Sequence, residues 1–222
     1  SRRFHSNGNY KNNIVIADPL DGTKLYELGI KNYSSMVALL GNNEVLASFG
    51  AMPEVGLYLA MIKGQGVWEV DVHNKKSERV FLYDLNKVSV KGDSRHRVIG
   101  HYRAGVSPAG KLKRDLDNIG YHIDSLLGKR VTNLEAVTNF QKGFCVGMIG
   151  TYMAIHDWIV PVSMLQELGA KVMFYDVERE TQVDFMPRLK NPDFMKSWEN
   201  DVSPRFRLVV GRNQSTLDRL VK

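Results

Sequence analysis

The chain has a single cysteine, Cys145, so no internal disulfide can form, and this suits a reducing compartment. No apolar run approaches the ~20 residues that a membrane span needs. The opening stretch Ser1-Arg2-Arg3-Phe4-His5 lacks the apolar core of a signal peptide. A cytoplasmic protein with no membrane partner is therefore expected. Zinc-ligand spacing, nucleic-acid motifs, aromatic-basic repeats of the single-strand-binding kind, internal repeats and long linkers are all missing. Asn32-Tyr33-Ser34 fits a glycosylation triplet, which means nothing without secretion. The first seventeen residues contain no aspartate or glutamate.

What is present is enough chain, 222 residues at 43% hydrophobic content, for a packed globular unit. The net charge of +6 favours anionic partners without choosing among nucleic acid, membrane and phosphorylated small molecules. The most informative stretch is Ile14-Val15-Ile16-Ala17-Asp18-Pro19-Leu20-Asp21-Gly22-Thr23. Four apolar residues, three of them β-branched, read as a short buried strand. Pro19 has no N–H and a fixed φ, so sheet pairing is expected to end there. Asp18 and Asp21 put two carboxylates on either side of a carbonyl. Gly22 lets a ligand approach the backbone, and Thr23 adds a hydroxyl and an amide at what reads as a first helical turn. Such a set suits hard divalent cations that hold a phosphate. An EF-hand loop is excluded by its spacing, because Pro19 and Leu20 fall among the coordinating positions.

Along the rest of the chain, strands are expected over residues 33–40, 44–49 and 57–62. They are separated by Gly41-Asn42-Asn43 and by Gly50-Ala51-Met52-Pro53. Short strands with glycine turns argue for an antiparallel sheet. Gly64-Gln65-Gly66 is too weak to be a nucleotide loop. Residues 80–90 read as a further strand. Lys91, Arg95, His96, Arg97, His101 and Arg103 form a basic group, read as a solvated face or an electropositive wall. Ser107-Pro108 starts a helix whose stripe Leu112, Leu116, Ile119, Ile123 and Leu126 runs to Gly128. Thr132 is expected to cap a helix to Lys142, and Cys145 reads as core. A further helix is expected from Asp157 as N-cap, with Trp158, Val162 and Leu165 on one face; Pro161 then falls in its first turn. Lys171 to Tyr175 reads as a strand, residues 176–204 as an inserted loop, and residues 205–210 as a strand. Ser215 is expected to cap a closing helix that buries Leu217, Leu220 and Val221.

The string Asp18-Pro19-Leu20-Asp21-Gly22-Thr23 after an apolar strand closely resembles the signature of the lithium-sensitive, magnesium-dependent phosphatase superfamily. Inositol monophosphatases, fructose bisphosphatases and phosphoadenosine phosphate phosphatases belong to it. That superfamily places Trp-Asp at the start of a helix that ends in glutamate and glycine; here the pair is interchanged, as His156-Asp157-Trp158, before Glu167 and Gly169. The resemblance aligns Asp157 with the third carboxylate ligand. It implies a mixed α/β fold, a layered αβαβα sandwich with largely antiparallel sheet. It also implies one phosphatase-like domain over residues 1–222, with residues 1–104 carrying the metal motif and residues 105–222 carrying Asp157.

The implied activity is Mg²⁺-dependent hydrolysis of a phosphate monoester. Asp18, the Leu20 carbonyl, Asp21 and Asp157 would hold Mg²⁺. Thr23 would orient or deprotonate the attacking water, and Asp21 would help protonate the leaving oxygen. The amides of Gly22 and Thr23, with Asp21 and Asp157, would meet the substrate. The implied partner is a phosphorylated small molecule: an inositol phosphate, a sugar bisphosphate or phosphoadenosine phosphate. A homodimer remains an open alternative. Lys24 after Thr23 is reminiscent of the phosphoadenosine phosphate branch. Gly150 to Ile155 lacks the acid that contacts the sugar in inositol phosphatases. The superfamily also has an N-terminal segment with a metal-binding glutamate and an acidic partner for the threonine. The fold is therefore expected to lack its N-terminal part here. A non-catalytic relative that binds an anionic ligand or a protein is the alternative reading; a nucleic-acid module rests on charge alone and ranks last.

Overall fold

In the computed structural model, the described residues are 13–41, 43–70, 79–82, 84–90, 92–101, 114, 116–125, 132–151, 154–176, 181–183 and 206–221. The first sheet is an antiparallel meander of six strands in sequence order: β1 Ile14–Asp21, β2 Ser34–Gly41, β3 Glu44–Met52, β4 Leu57–Ile62, β5 Gly66–Val70 and β6 Arg79–Phe81. Strand β1 does not stop at Pro19, as the sequence predicts. Pairing of Asp18 with Met36 is followed by pairing of Asp21 with Ser34, so one extra residue is bulged on the β1 side. Pro19 lies inside that bulge, where the ladder asks for no N–H, and its carbonyl accepts the Ser35 hydroxyl at 2.7 Å. The strand expected over residues 80–90 is cut to three residues. A 3₁₀ turn, Leu85–Lys87, follows, started by Asp84, whose carboxylate accepts the Asn86 N–H at 2.8 Å.

The second sheet contains β7 Arg97–His101, β8 His122–Ser125, β9 Gly147–Thr151, β10 Lys171–Asp176, β11 Thr181–Val183 and β12 Phe206–Gly211. Their spatial order is β11-β10-β12-β9-β7-β8, and β7 runs parallel to both β8 and β9. Strand β8 corrects the longest helix expected from sequence. Helical residues end at Asn118, where the Tyr121 N–H reaches the Leu116 carbonyl at 2.8 Å and the Gly120 N–H reaches Asp117 at 3.1 Å. Gly120 has φ 81°, so this is a left-handed helix stop that any other residue resists. Beyond it, Ile123 is a strand residue paired with Val98. Its four-residue spacing from Ile119 fits helix and strand alike, and pairing with β7 decides. Ser107-Pro108 and Leu126 lie outside the described residues, as do most of the loop 176–204 and Lys91 and Arg103.

Besides the helical residues that end at Asn118, four helices among the described residues accompany the sheets: α1 Thr23–Glu27, α2 Glu135–Gln141, α3 Ile155–Glu167 and α4 Gln214–Val221. Helix α3 lies between the two sheets, touching β1 to β5 on one side and β10 on the other, with α2 beside it. Its apolar residues Trp158, Ile159, Val162 and Leu165 are buried in the main core together with Met36, Leu59, Phe140 and Leu208. A buried pair of hydroxyls, Ser48 of β3 and Ser163 of α3 at 2.9 Å, crosses that interface. Ser163 also donates to the Val160 carbonyl at 2.8 Å; its one proton is then used, so Ser48 is the donor in the pair. Helix α4 covers the other face of the second sheet, closing a smaller core of Val98, Leu116, Tyr121, Ile149, Val209 and Leu217. Its cap is Asn213, whose Oδ1 accepts the Thr216 N–H at 2.9 Å, and not Ser215. Thr132 likewise does not cap α2 with its hydroxyl, which points to Met52 Sδ at 3.3 Å; its N–H bonds Glu135 instead.

The described residues thus supply four layers in the order sheet, helix, sheet, helix. On the outer face of the first sheet, Ala17, Val37, Phe49, Ala60 and Trp68 pair across five strands as one apolar row. Val37 is 38% and Phe49 39% exposed, and no helix among the described residues covers them. None of the described helices is long and apolar enough to cross a membrane.

Arg212 holds the second sheet to its surroundings. It is 5% exposed and donates to three backbone carbonyls: Phe140 at 3.1 Å, Leu85 at 2.6 Å and Val88 at 2.7 Å. Arg212→Met would take the charged donor from all three carbonyls, at roughly 1–3 kcal/mol for each bond lost, although Leu85 keeps the Val88 N–H and Phe140 the Gly143 N–H. A loss of about 3 kcal/mol or more in urea unfolding is expected; a loss under ~1 kcal/mol contradicts this account.

Candidate active site

The cleft forms where the β1 bulge meets the start of α3. It is lined by Asp18, Pro19, Leu20, Asp21, Gly22, Thr23, His156 and Asp157, and its volume is about 280 Å³. At ~30 Å³ per water, that holds about nine water-sized groups, a phosphoryl group with its cations but not a whole nucleotide. Every site residue singled out from sequence lies in this one cleft, including Asp157, which is far from the others along the chain. The basic residues Arg95, His96 and Arg97 do not line it.

Local chemistry explains each position. The bulge turns both Asp18 and Asp21 inward, and both are buried. Asp18 Oδ1 accepts the Leu20 N–H at 3.1 Å, a short Asx turn around Pro19. Gly22 has φ 83°, which a side chain at this position would resist. Thr23 opens α1, and its hydroxyl donates to the Leu20 carbonyl at 3.0 Å. That carbonyl keeps a second lone pair for another partner.

Asp157 is not the N-cap of α3, as the sequence suggests. The helix begins earlier, with Ala154 extended at φ −71°, ψ 153° as the N-cap. Asp157 is then the third helical residue, and its Oδ2 accepts the Ala154 N–H at 3.0 Å. Pro161 consequently lies well inside the helix, where it cannot donate to the Asp157 carbonyl four residues back. The interchange of Trp and Asp is also resolved. Trp158 turns into the core, 4.8 Å from the Phe174 ring, and this rotation leaves His156 and Asp157 facing the cleft.

Three partners were not anticipated from sequence. Ser34 donates to Asp21 Oδ2 at 2.9 Å, the Asn133 N–H to the same oxygen at 3.3 Å, and the Asn133 side-chain amide to Oδ1 at 3.5 Å. The third is His156, whose Nε2 is 3.5 Å from Asp157 Oδ1. One available signal was the histidine in the place of the superfamily's tryptophan. Ser34 and Asn133 carry no such signal, since they reach Asp21 only through folding.

The electrostatics follow from burial. Desolvation, then repulsion from Asp157 and Asp18, pushes the Asp21 carboxyl up to about 7, against the bonds from Ser34 and Asn133. Desolvation and Asp18 push Asp157 up to about 7 as well. Asp18 is raised by burial, opposed by His156 and by the Leu20 N–H; burial lowers His156, opposed by Asp18 and Asp21. Three crowded carboxyls that resist ionisation together form a donor set that fits divalent cations, whose charge removes the repulsion. The Asn133 Oδ1 is buried beside them with no hydrogen-bond partner.

A pH dependence follows for the chain without metal. Asp21 and Asp157 ionise near 3.8 when unfolded and near 7 when folded, so the folded state binds more protons between those values. Their contribution to stability is therefore full at low pH, is lost as pH rises from about 4 through 7, and is flat above. Asp21→Asn is expected to add on the order of 1–2 kcal/mol at pH 8 and nothing at pH 4. Thermal unfolding in chelator across this range checks it; a gain equal at both pH values contradicts it.

No protein-family model matches the sequence, and no curated protein matches it. Solved structures do. The extragenic suppressor protein SuhB from Bartonella henselae is 18% identical over 97% of this chain and 72% of its own, with a TM-score of 0.64. An inositol monophosphatase from Anabaena (Nostoc) sp. PCC 7120 is 15% identical over 94% of this chain and 73% of its own, with a TM-score of 0.64. One from Zymomonas mobilis is 8% identical over 97% of this chain and 71% of its own, with a TM-score of 0.65. Identity this low speaks for architecture alone: the chain has the fold of the inositol monophosphatase superfamily.

Proposed function

We propose that this chain hydrolyses small phosphate monoesters with the help of Mg²⁺. The observation that supports this most is the convergence of Asp18, Asp21 and Asp157 on one cleft beside the Leu20 carbonyl, Gly22 and Thr23. The fold, shared with inositol monophosphatases from Anabaena and Zymomonas mobilis, agrees with it.

In this reading Asp18, the Leu20 carbonyl, Asp21 and Asp157 hold the cations. Bound magnesium supplies charge that neutralises phosphoryl oxygens and acidifies the attacking water. The residues supply position. Ser34 and Asn133 fix the Asp21 carboxylate by three hydrogen bonds, so it meets its ligand without reorganising. The Ala154 N–H does the same for Asp157. The amides of Gly22 and Thr23 bind phosphoryl oxygens, and the Gly22 backbone admits them closely. The Thr23 hydroxyl gives its proton to the Leu20 carbonyl, which leaves its lone pairs to accept from, and so orient, the attacking water. Asp21, which lines the cleft, would help a water pass a proton toward the leaving oxygen. Substrates are small phosphorylated molecules: an inositol phosphate, a sugar bisphosphate or phosphoadenosine phosphate.

One observation favours a second reading, a protein of this fold that binds an anion without hydrolysing it. Thr23 bonds to a carbonyl, where activation of a hydroxyl calls for a carboxylate or another base.

Phosphate release from a panel of these esters with Mg²⁺ separates the two. The wild type is expected to turn over, and Asp157→Asn or Asp21→Asn to lose roughly 100-fold or more in kcat with the fold retained by circular dichroism. Equal rates in the wild type and both variants would sink the metal mechanism. Saturable binding of inorganic phosphate with no turnover of any ester would establish the second reading.

A further inference from the structure

We propose that His156 is itself a metal ligand. With Asp18 and Asp157 it makes a mixed nitrogen–oxygen site that prefers a first-row transition dication, Zn²⁺ or Mn²⁺, to Mg²⁺. The inference rests on the reading of the cleft as a metal centre and adds a donor that the signature at Asp18–Thr23 does not contain.

The geometry points to it. One donor atom each from Asp18, His156 and Asp157 lies within 4.8 Å of the other two. Ligands at ~2.0–2.2 Å from a tetrahedral ion stand about 3.4 Å apart. The His156 Nε2 and Asp157 Oδ1 are 3.5 Å apart. A charge-assisted hydrogen bond between the same atoms prefers ~2.7–2.9 Å. That separation matches two ligands of one ion and is long for a hydrogen bond.

The supporting contacts agree. Each carboxylate has a backbone N–H tying it down: Leu20 on Asp18 Oδ1 and Ala154 on Asp157 Oδ2. For Asp157 this leaves Oδ1, the oxygen on the His156 side. Ligand atoms oriented by such outer contacts are the usual arrangement at metal sites. The packing of Trp158 against Phe174 fixes the rotation of α3, so His156 stays on the cleft side. Asp21 is not one of these three donors; it lies in the same cleft, held by Ser34 and Asn133.

The donor set sets the preference. Mg²⁺ takes oxygen ligands and keeps its waters, whereas imidazole nitrogen suits the borderline transition ions. Along the first-row series Zn²⁺ binds such a site more tightly than Mn²⁺. Replacing the histidine should weaken these two ions and leave Mg²⁺, bound by oxygens alone, little changed.

The test uses the full chain, stripped with chelator, and needs no substrate. Calorimetric titration with Zn²⁺, Mn²⁺ and Mg²⁺ is compared between the wild type and His156→Gln. Pulsed electron paramagnetic resonance of the Mn²⁺-loaded wild type reads nitrogen coordination directly. We expect nitrogen modulation in the wild type and its loss in His156→Gln. We also expect at least ~10-fold weaker Zn²⁺ and Mn²⁺ binding in that variant, with under ~2-fold change for Mg²⁺. An oxygen-only Mn²⁺ spectrum in the wild type would overturn the inference, as would failure of Mn²⁺ to bind, or equal Zn²⁺ affinity in a folded His156→Gln. Phosphate release alongside oxygen-only coordination would sink this inference and leave the phosphatase reading standing. Nitrogen coordination without turnover of any ester would do the reverse.

Discussion

The crowding of three carboxyls in one cleft, Asp18 and Asp21 buried and Asp157 half-buried, is the constraint around which this molecule is arranged. Asp18, Asp21 and Asp157 are held close enough, and dry enough, that Asp21 and Asp157 are pushed up to about 7. Holding like charges together costs free energy. The rest of the fold supplies what offsets it: hydrogen bonds from Ser34, Asn133, Leu20 and Ala154 to the carboxylates, and a large apolar core behind them. A site that resists its own charge is one that a cation completes, and this connects the crowding of three acids to metal-assisted chemistry.

Two structural devices bring the acids together. The first is the bulge in β1, which inserts one residue between the pairings at Asp18 and Asp21 and so aims both side chains into the cleft. An unbroken strand would send residues three apart to opposite faces. The second is helix α3, clamped between two sheets. The Ser48–Ser163 bond on one side and the Trp158–Phe174 contact on the other fix its position and rotation. Its first turn then presents His156 and Asp157 to the bulge. Local chain chemistry builds each half, and the core sets the distance between them.

Three local rules give way to tertiary contacts for the same reason. Pro19 was expected to end a strand because it has no N–H, yet a bulge needs none there. Asp157 was expected to cap a helix because Pro161 is awkward inside one, yet α3 tolerates it with its flanks buried in the core. The stripe through Ile119 and Ile123 reads as helix, yet Gly120 stops the helix and parallel pairing with β7 makes a strand. In each case local propensity named a sound rule, and a tertiary contact satisfied the same physics differently.

By itself the sequence determined where β1 begins, the antiparallel meander up to Ile62 and the main-core face of α3. These depend on residues within a few positions of one another, where pattern and chemistry are read directly. Only the tertiary structure decided that His156 faces the cleft beside Asp157, that Asn133 holds Asp21 from 112 residues away, and that β7 pairs with β8. Those outcomes depend on how α3 is rotated and on how two sheets stack, which are properties of the packed core and not of any single stretch of chain.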